Sequence, residues 1–199
     1  MALNSTNQPI RWKERIGTWI NEAWFFIVKV LKSLFGIRRE DDLQTKGLKT
    51  AGVAAQWGAY FIMNNWINGF HLAIGCSMRS LGFSFPSMFG VIWGFDFFVA
   101  GTFLVIYKIT GRDPSLGVNF RRAADTANEK FQLVGFLIMA WNTILAIFWT
   151  GPEKVITFFR KEIGTRSRIV AALIVLTAIQ AFLWAALYYF AFGWVIKHL

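Results

Sequence analysis

Cysteine is nearly missing from this chain. Cys76 stands alone, which excludes an intrachain disulfide and any cysteine-based metal cluster. Histidine is almost as scarce: His71 and His198 are the only two, and no CxxCH motif accompanies them, so a haem or a metal centre finds no ligand set of recognised spacing. Templates for catalysis are missing too. The sequence holds no GxSxG, HExxH, GxxxxGK[ST] or GxGxxG, and the turn-rich GRDPSLG at 111–117 lacks the Lys-Ser/Thr that would cradle a phosphate. No cofactor and no metal is expected, and the chain reads as non-enzymatic. Acidic residues number 11 against 21 basic ones, a surplus that would suggest nucleic acid in a soluble protein. Here the cations flank long apolar runs, where they pair with anionic headgroups and set topology, so a lipid bilayer is the expected partner and nucleic acid is not.

What the chain has in excess is apolar residues, 55% of the total, blocked into four runs at 51–74, 86–107, 131–150 and 169–196. About 20 residues rising 1.5 Å each cover the roughly 30 Å hydrocarbon core of a bilayer. The expected fold is therefore an all-α integral membrane protein with four transmembrane helices in a bundle. This domain, 49–199, follows an N-terminal segment, 1–48, that is too short for a soluble core. The first 15 residues carry no apolar core ahead of a cleavage site, so the first run is expected to act as its own insertion signal. Asn4-Ser5-Thr6 matches a glycosylation acceptor, of meaning only on an extracytoplasmic segment.

Each run carries a strongly polar residue near its middle: Asn64 and Asn65, Asp96, Asn142, and Gln180. A charged carboxyl at that depth costs about 2.5–3.5 kcal/mol and finds no partner in lipid. These side chains are expected to face one another inside the bundle. Asp96, in GFDFFVAG, has no adjacent cation and is the sharpest candidate. It either clasps Asn64, Asn65, Asn142 or Gln180, or it belongs to a proton or cation relay. Asn64, Asn68 and His71 fall at steps of four and three and share one helix face. That polar stripe could line a crevice, with His71 more readily read as a headgroup-level histidine than as a ligand.

Small residues recur at four-residue spacing, at Ala51, Ala55 and Ala59 and at Gly90 and Gly94, a register that lets a second helix approach closely. Residues 10–36 read as an amphipathic helix. Trp12, Ile16, Trp19, Ile20, Ala23, Ile27, Leu31 and Leu34 recur at helical intervals, and Lys13, Glu22, Lys29 and Lys32 interrupt them too often for hydrocarbon burial. Trp12, Trp19 and Trp24 with Lys29 and Lys32 suit a helix lying in the headgroup plane, the alternative being a groove on a partner subunit. The connection at 110–130 is expected to end in a short, solvated surface helix, and that at 152–168 to be a second interfacial segment.

With the N-terminus inside and four spans, fifteen cations lie inside against six outside, five of the six in the third connection. A third run that turned back would leave nineteen against two and put the C-terminus outside. Phe131 to Thr150 is long and nearly free of charge, so four spans remain the expectation. The location expected is a bacterial-type cytoplasmic membrane, multi-pass, with the N-terminus cytoplasmic. The leading functional reading is a non-catalytic scaffold or structural subunit of a larger assembly of secretion, conjugation, photosynthetic or respiratory type, held to other membrane subunits or to copies of itself. The alternative is a small proton or cation channel or transporter component centred on Asp96.

Overall fold

The computed structural model describes the backbone of residues 12–192 and of Trp194, with side chains from Ile16 onward. The Asn4 acceptor, the first two residues of the expected amphipathic helix, the Trp12 side chain and most of the stretch after 192 lie outside the described residues. Among the described residues the chain is helical throughout, with no strand. Three helices are long and apolar enough to cross a membrane: Phe85–Thr110, Gln132–Thr150 and Arg166–Phe192. This is the composition of a multi-pass membrane protein.

The elements run α1 (Trp12–Leu34), α2 (Leu43–Ser80), α3 (Phe85–Thr110), α4 (Gly117–Asn128), α5 (Gln132–Leu145), α6 (Pro152–Phe158), α7 (Arg160–Ile163) and α8 (Arg166–Ala186). Helices α5 and α8 each end in a π-helical turn, Ala146–Thr150 and Leu187–Phe192. Asp42 starts α2 by accepting a hydrogen bond from the Thr45 N–H at 3.0 Å, which satisfies one of the free donors of the first turn. At 38 residues α2 is the longest element, about 57 Å at 1.5 Å per residue. It contains the first apolar run, yet it is not among the three helices that qualify as spans. Gln56, Asn64, Asn65, Asn68 and His71 dilute its hydropathy.

Helices α3 and α8 pack antiparallel. Ala100 meets Leu173, the Trp93 Nε1–H donates to Thr177 Oγ1 at 3.1 Å, and Met88 and Ile92 meet Ala181 and Ala185. Helix α2 runs antiparallel to α3, with Tyr60 beside Phe103 and His71 beside Asp96 and Phe95. The C-terminal end of α3 and the N-terminal end of α8 therefore lie at the same end of the bundle. Everything between them must leave and return to that end.

Helix α5 starts at this end, where Phe131 packs edge-on to Phe26 of α1 with ring centroids 4.9 Å apart. Its π-helical turn reaches the middle of α2, where Asn64 and Asn68 both donate to the Trp149 carbonyl, at 3.3 and 3.4 Å. Gly151, at φ +101°, turns the chain, and α6 leads back: Ile156 packs on Ala100 and Leu173, and Arg160 lies over the Tyr107 ring at 4.5 Å. From 151 to 165 a continuous helix would rise only about 20 Å, short of the roughly 30 Å core. So α5 and α6 form a hairpin whose tip stops at mid-height. The four-helix bundle expected from the sequence, with 131–150 as a full crossing, is not confirmed by this packing.

The packing also differs from the expectation of a solvated helix in the connection at 110–130 and an interfacial segment at 152–168. All of α6 is buried, Glu153 and Lys154 included. In the preceding connection Asp113, Ser115, Leu116, Ala123, Ala124 and Ala127 are buried as well. The two connections pack on one another. Ser115 Oγ and Thr157 Oγ1 lie 2.9 Å apart, and Arg121 bonds Glu162 at 2.5 Å. Gly117 is required here, because a Cβ would sit 2.6 Å from the Lys154 carbonyl oxygen and 2.9 Å from the Phe158 nitrogen.

Helix α1 rests on α4 and the start of α5 through Phe26, Lys29 and Ser33: Lys29 bonds Glu129 at 2.9 Å, and Ser33 Oγ donates to the Arg122 carbonyl at 3.0 Å. Its apolar stripe points elsewhere, leaving Ile20 and Trp24 exposed and Trp19 76% exposed. The small-residue faces are not used within the chain. Ala51, Ala55 and Ala59 are exposed, and a Cβ on Gly90 or Gly94 would meet nothing within 4 Å. Interhelical packing relies instead on the interlocking of large side chains such as Met88 and Ile92 with Ala181 and Ala185.

Candidate functional site

The tip of the hairpin and the midpoints of α2, α3 and α8 enclose a small cavity of about 30 Å³. One water needs roughly 10–15 Å³ by this measure, so the space holds about two. Its walls include Asn64, Asn68 and His71 from α2, Asp96 from α3, Thr150 and Glu153 from the hairpin, and Gln180 from α8. The backbone explains the convergence. Asn64, Asn68 and His71 share one face of α2, Asp96 sits one turn past the α3–α8 contact at Ile92, and Gln180 directly precedes the contact at Ala181.

At the centre, His71 Nε2 stands 3.3 Å from Asp96 Oδ1, and both side chains are sealed from the surface. The approach is close enough for an ion pair but is not aligned as a hydrogen bond, so among the described residues His71 Nε2 and Asp96 Oδ2 have no hydrogen-bond partner. Thr150 Oγ1, on the cavity wall, has none either. The other imidazole nitrogen is fixed: His71 Nδ1 lies 2.9 Å from the Tyr188 hydroxyl. Trp184 stacks on Tyr188 and stands edge-on to His71 at 5.5 Å, which clamps the imidazole. Tyr188 itself lies flush against Gly75, where any Cβ would strike its ring.

Glu153 approaches the cavity from the other direction. It is 2% exposed, and the Tyr60 hydroxyl donates to its Oε1 at 3.1 Å as well as to the Thr150 carbonyl. From Glu153 toward the connection end follow Lys154, whose ammonium sits 4.4 Å from the Phe120 ring centroid, and Asp113. A file of buried ionisable groups thus runs from Asp113 through Glu153 and Tyr60 to the cavity, and beyond it through Asp96 and His71 to Tyr188. Two π-helical turns flank it, and such turns are frequent at functional sites.

Of the polar residues singled out by sequence, Asn64, Asp96 and Gln180 converge on the cavity, and Asn68 and His71 join them. Asn65 does not: it is exposed and donates to the Phe61 carbonyl one turn back. Asn142 is buried in α5, away from the cavity, with its Nδ2 lacking a partner among the described residues. His71 sits deep against Asp96 rather than at headgroup level, because α2 carries on for nine more residues past it. Sequence reasoning missed Tyr60, Glu153, Thr150 and Tyr188. The signal for Glu153 was present: an isolated Glu-Lys pair after Gly151-Pro152, with VITFF following, inside a connection whose cations fell on the wrong side. No metal-holding group of three or more His, Cys, Asp or Glu side chains occurs among the described residues. No known protein family, curated protein or solved structure matches the chain.

Proposed function

We propose that the chain is a proton-handling membrane protein, in which Asp96 and His71 exchange protons through the cavity with Glu153. The observation that carries this reading is the 3.3 Å approach of His71 Nε2 to Asp96 Oδ1 on a cavity wall that also holds unpartnered polar atoms. A relay needs more than one acid or histidine, and no other apolar run of the sequence supplies an acid. The hairpin tip brings one, Glu153. In this reading α2, α3 and α8 cross the bilayer, and α5 with α6 re-enter from the cytoplasmic face. Nineteen cations then lie on that face against two outside, and non-helical backbone at mid-depth is tolerated because protein surrounds it.

Reconstitution into vesicles with a trapped pH dye tests the relay. Wild type should dissipate an imposed proton gradient, and Asp96→Asn should lower that flux at least tenfold while the protein stays folded. Equal flux in wild type, Asp96→Asn and empty vesicles would remove the relay. A second reading, the structural subunit, is supported by the unused faces at Ala51, Ala55 and Ala59 and at Gly90 and Gly94, and it gains if flux is absent and Asp96→Leu disrupts a larger assembly. The topology has its own check. A cysteine at position 163, with Cys76 replaced, should label from the same side as one at position 112.

A further inference from the structure

At the same end of the molecule, remote from the cavity, a cleft of about 1030 Å³ opens between α1, the turn that follows it, the start of α2 and α4. Its lining contains eight Lys and Arg side chains and no Asp or Glu. Three of these cations have acidic partners: Lys29 with Glu129 at 2.9 Å, Lys49 with Asp41 at 2.6 Å, and Arg38 with Glu40 at 3.9 Å. The other five, Lys32, Arg39, Lys46, Arg122 and Lys130, have no acidic partner within 4.0 Å among the described residues. They come from two stretches of the chain, 32–46 and 122–130, which tertiary folding brings together against their mutual repulsion. A concave surface of one sign focuses its field and concentrates counter-ions.

The cleft is not polar throughout. Phe25, Phe26, Val28 and Ile37 also line it, the first three from α1, whose apolar stripe is left uncovered. Hydroxyls are present as well, with Thr126 Oγ1 donating to Ser33 Oγ at 2.7 Å on the floor. Gly36, at φ +68°, lets the Arg122 guanidinium lie against the turn, since a Cβ there would stand 2.6 Å from Nη1. Cations, hydroxyls and apolar side chains in one recess match an amphiphile with a multiply charged head. We propose that this cleft binds a membrane lipid carrying two or more phosphates, its head among the five unmatched cations and its acyl chains along α1. One phosphodiester would leave most of those cations unanswered, and a bridging pair of phosphates reaches across the segments.

The full chain, purified in neutral detergent, can be titrated with cardiolipin as the bisphosphate lipid, phosphatidylglycerol as the single-phosphate lipid, and pyrophosphate as the lipid-free anion. Cardiolipin should raise the unfolding midpoint saturably and appear as a one-to-one adduct by native mass spectrometry. Neutralising Lys32, Arg39 and Arg122 to Gln should weaken it at least tenfold, whereas Arg112→Gln, Lys161→Gln and Arg168→Gln together, the same change in net charge, should leave it within twofold. In the wild-type protein, which needs no variant to fold, cardiolipin should protect Lys32 and Lys46 from a lysine-reactive label. Equal weakening in both triple variants, or equal affinity for phosphatidylglycerol, would overturn the site in favour of bulk charge. A match by pyrophosphate would overturn the lipid assignment and make the cleft a soluble polyphosphate site.

Discussion

Asp113 and Asp96 are buried to the same degree, 8% and 7% exposed, but their surroundings are opposite. Asp113 Oδ1 accepts from the Ser115 N–H at 3.0 Å and the Ser115 hydroxyl at 2.6 Å, and its Oδ2 accepts from the Val118 N–H at 2.7 Å. It caps the first turn of α4 and locks the connection onto the hairpin. Asp96 has one oxygen near His71 and the other without a partner. A carboxylate with both oxygens hydrogen-bonded does structural work. One left under-satisfied on a cavity wall costs stability, and retaining it calls for a functional reason.

That contrast breaks most visibly at Asp113. Replacing it with Ala removes three hydrogen bonds to a charged group and strands buried donors, so we expect a loss of about 3–5 kcal/mol, read as a lowered unfolding midpoint in detergent. A normal midpoint would show that the connection is not locked as described. Gly117→Ala strikes the same junction without touching charge. Its new Cβ meets backbone on both sides, where overpacking costs about 1–3 kcal/mol, and the same midpoint reads it.

Smaller effects are expected at Asp96. Asp96→Asn should leave the midpoint almost unmoved, because no well-aligned hydrogen bond is lost. Asp96→Leu should cost about 1–2 kcal/mol at most, the range for interhelical polar contacts in model helices. If Asp96→Asn destabilises as strongly as Asp113→Ala, the two sites are alike and the comparison fails. A small effect that depends on pH belongs to a third aspartate, Asp41. A side-chain hydrogen bond from Lys49, then the Arg38 N–H, hold its carboxyl below the usual carboxylate range. A depressed value stabilises the fold above the unfolded-state value of about 4 and is lost as pH falls through the folded one. Asp41→Asn should therefore unfold slightly earlier than wild type at pH 7, with the gap closing on acidification below about pH 4.

Much of the architecture was legible. Runs of some 20 apolar residues marked α3, α5 and α8, and the apolar interval of three and four marked α1, because both signals are carried by neighbours in the chain. Helix α2 was legible as a helix and ambiguous as a span, since the polar residues that build the cavity are the ones that lower its hydropathy. The convergence of Asn64, Asp96 and Gln180 also followed from sequence, as lipid leaves mid-depth polar groups nowhere else to turn. The site beyond them was not legible. Tyr60, Tyr188 and Glu153 join the site only through contacts with residues far away in the chain, such as Tyr60 with Glu153 and His71 with Tyr188.

An all-helical, multi-pass kind of chain with cations gathered at the ends of apolar runs could be read from the residues alone. Composition and period are local properties, and hydrocarbon burial reads them directly. The turn at Gly151 after α5, the buried packing of the two connections and the meeting of His71 with Asp96 depend on the folded chain. Those outcomes depend on contacts such as Ser115 with Thr157 and Gly117 with Lys154, which link residues about 40 positions apart. No window along the chain contains both partners of such a pair. Their energy exists only once α3 and α8 have fixed which end of the bundle the intervening chain must come home to.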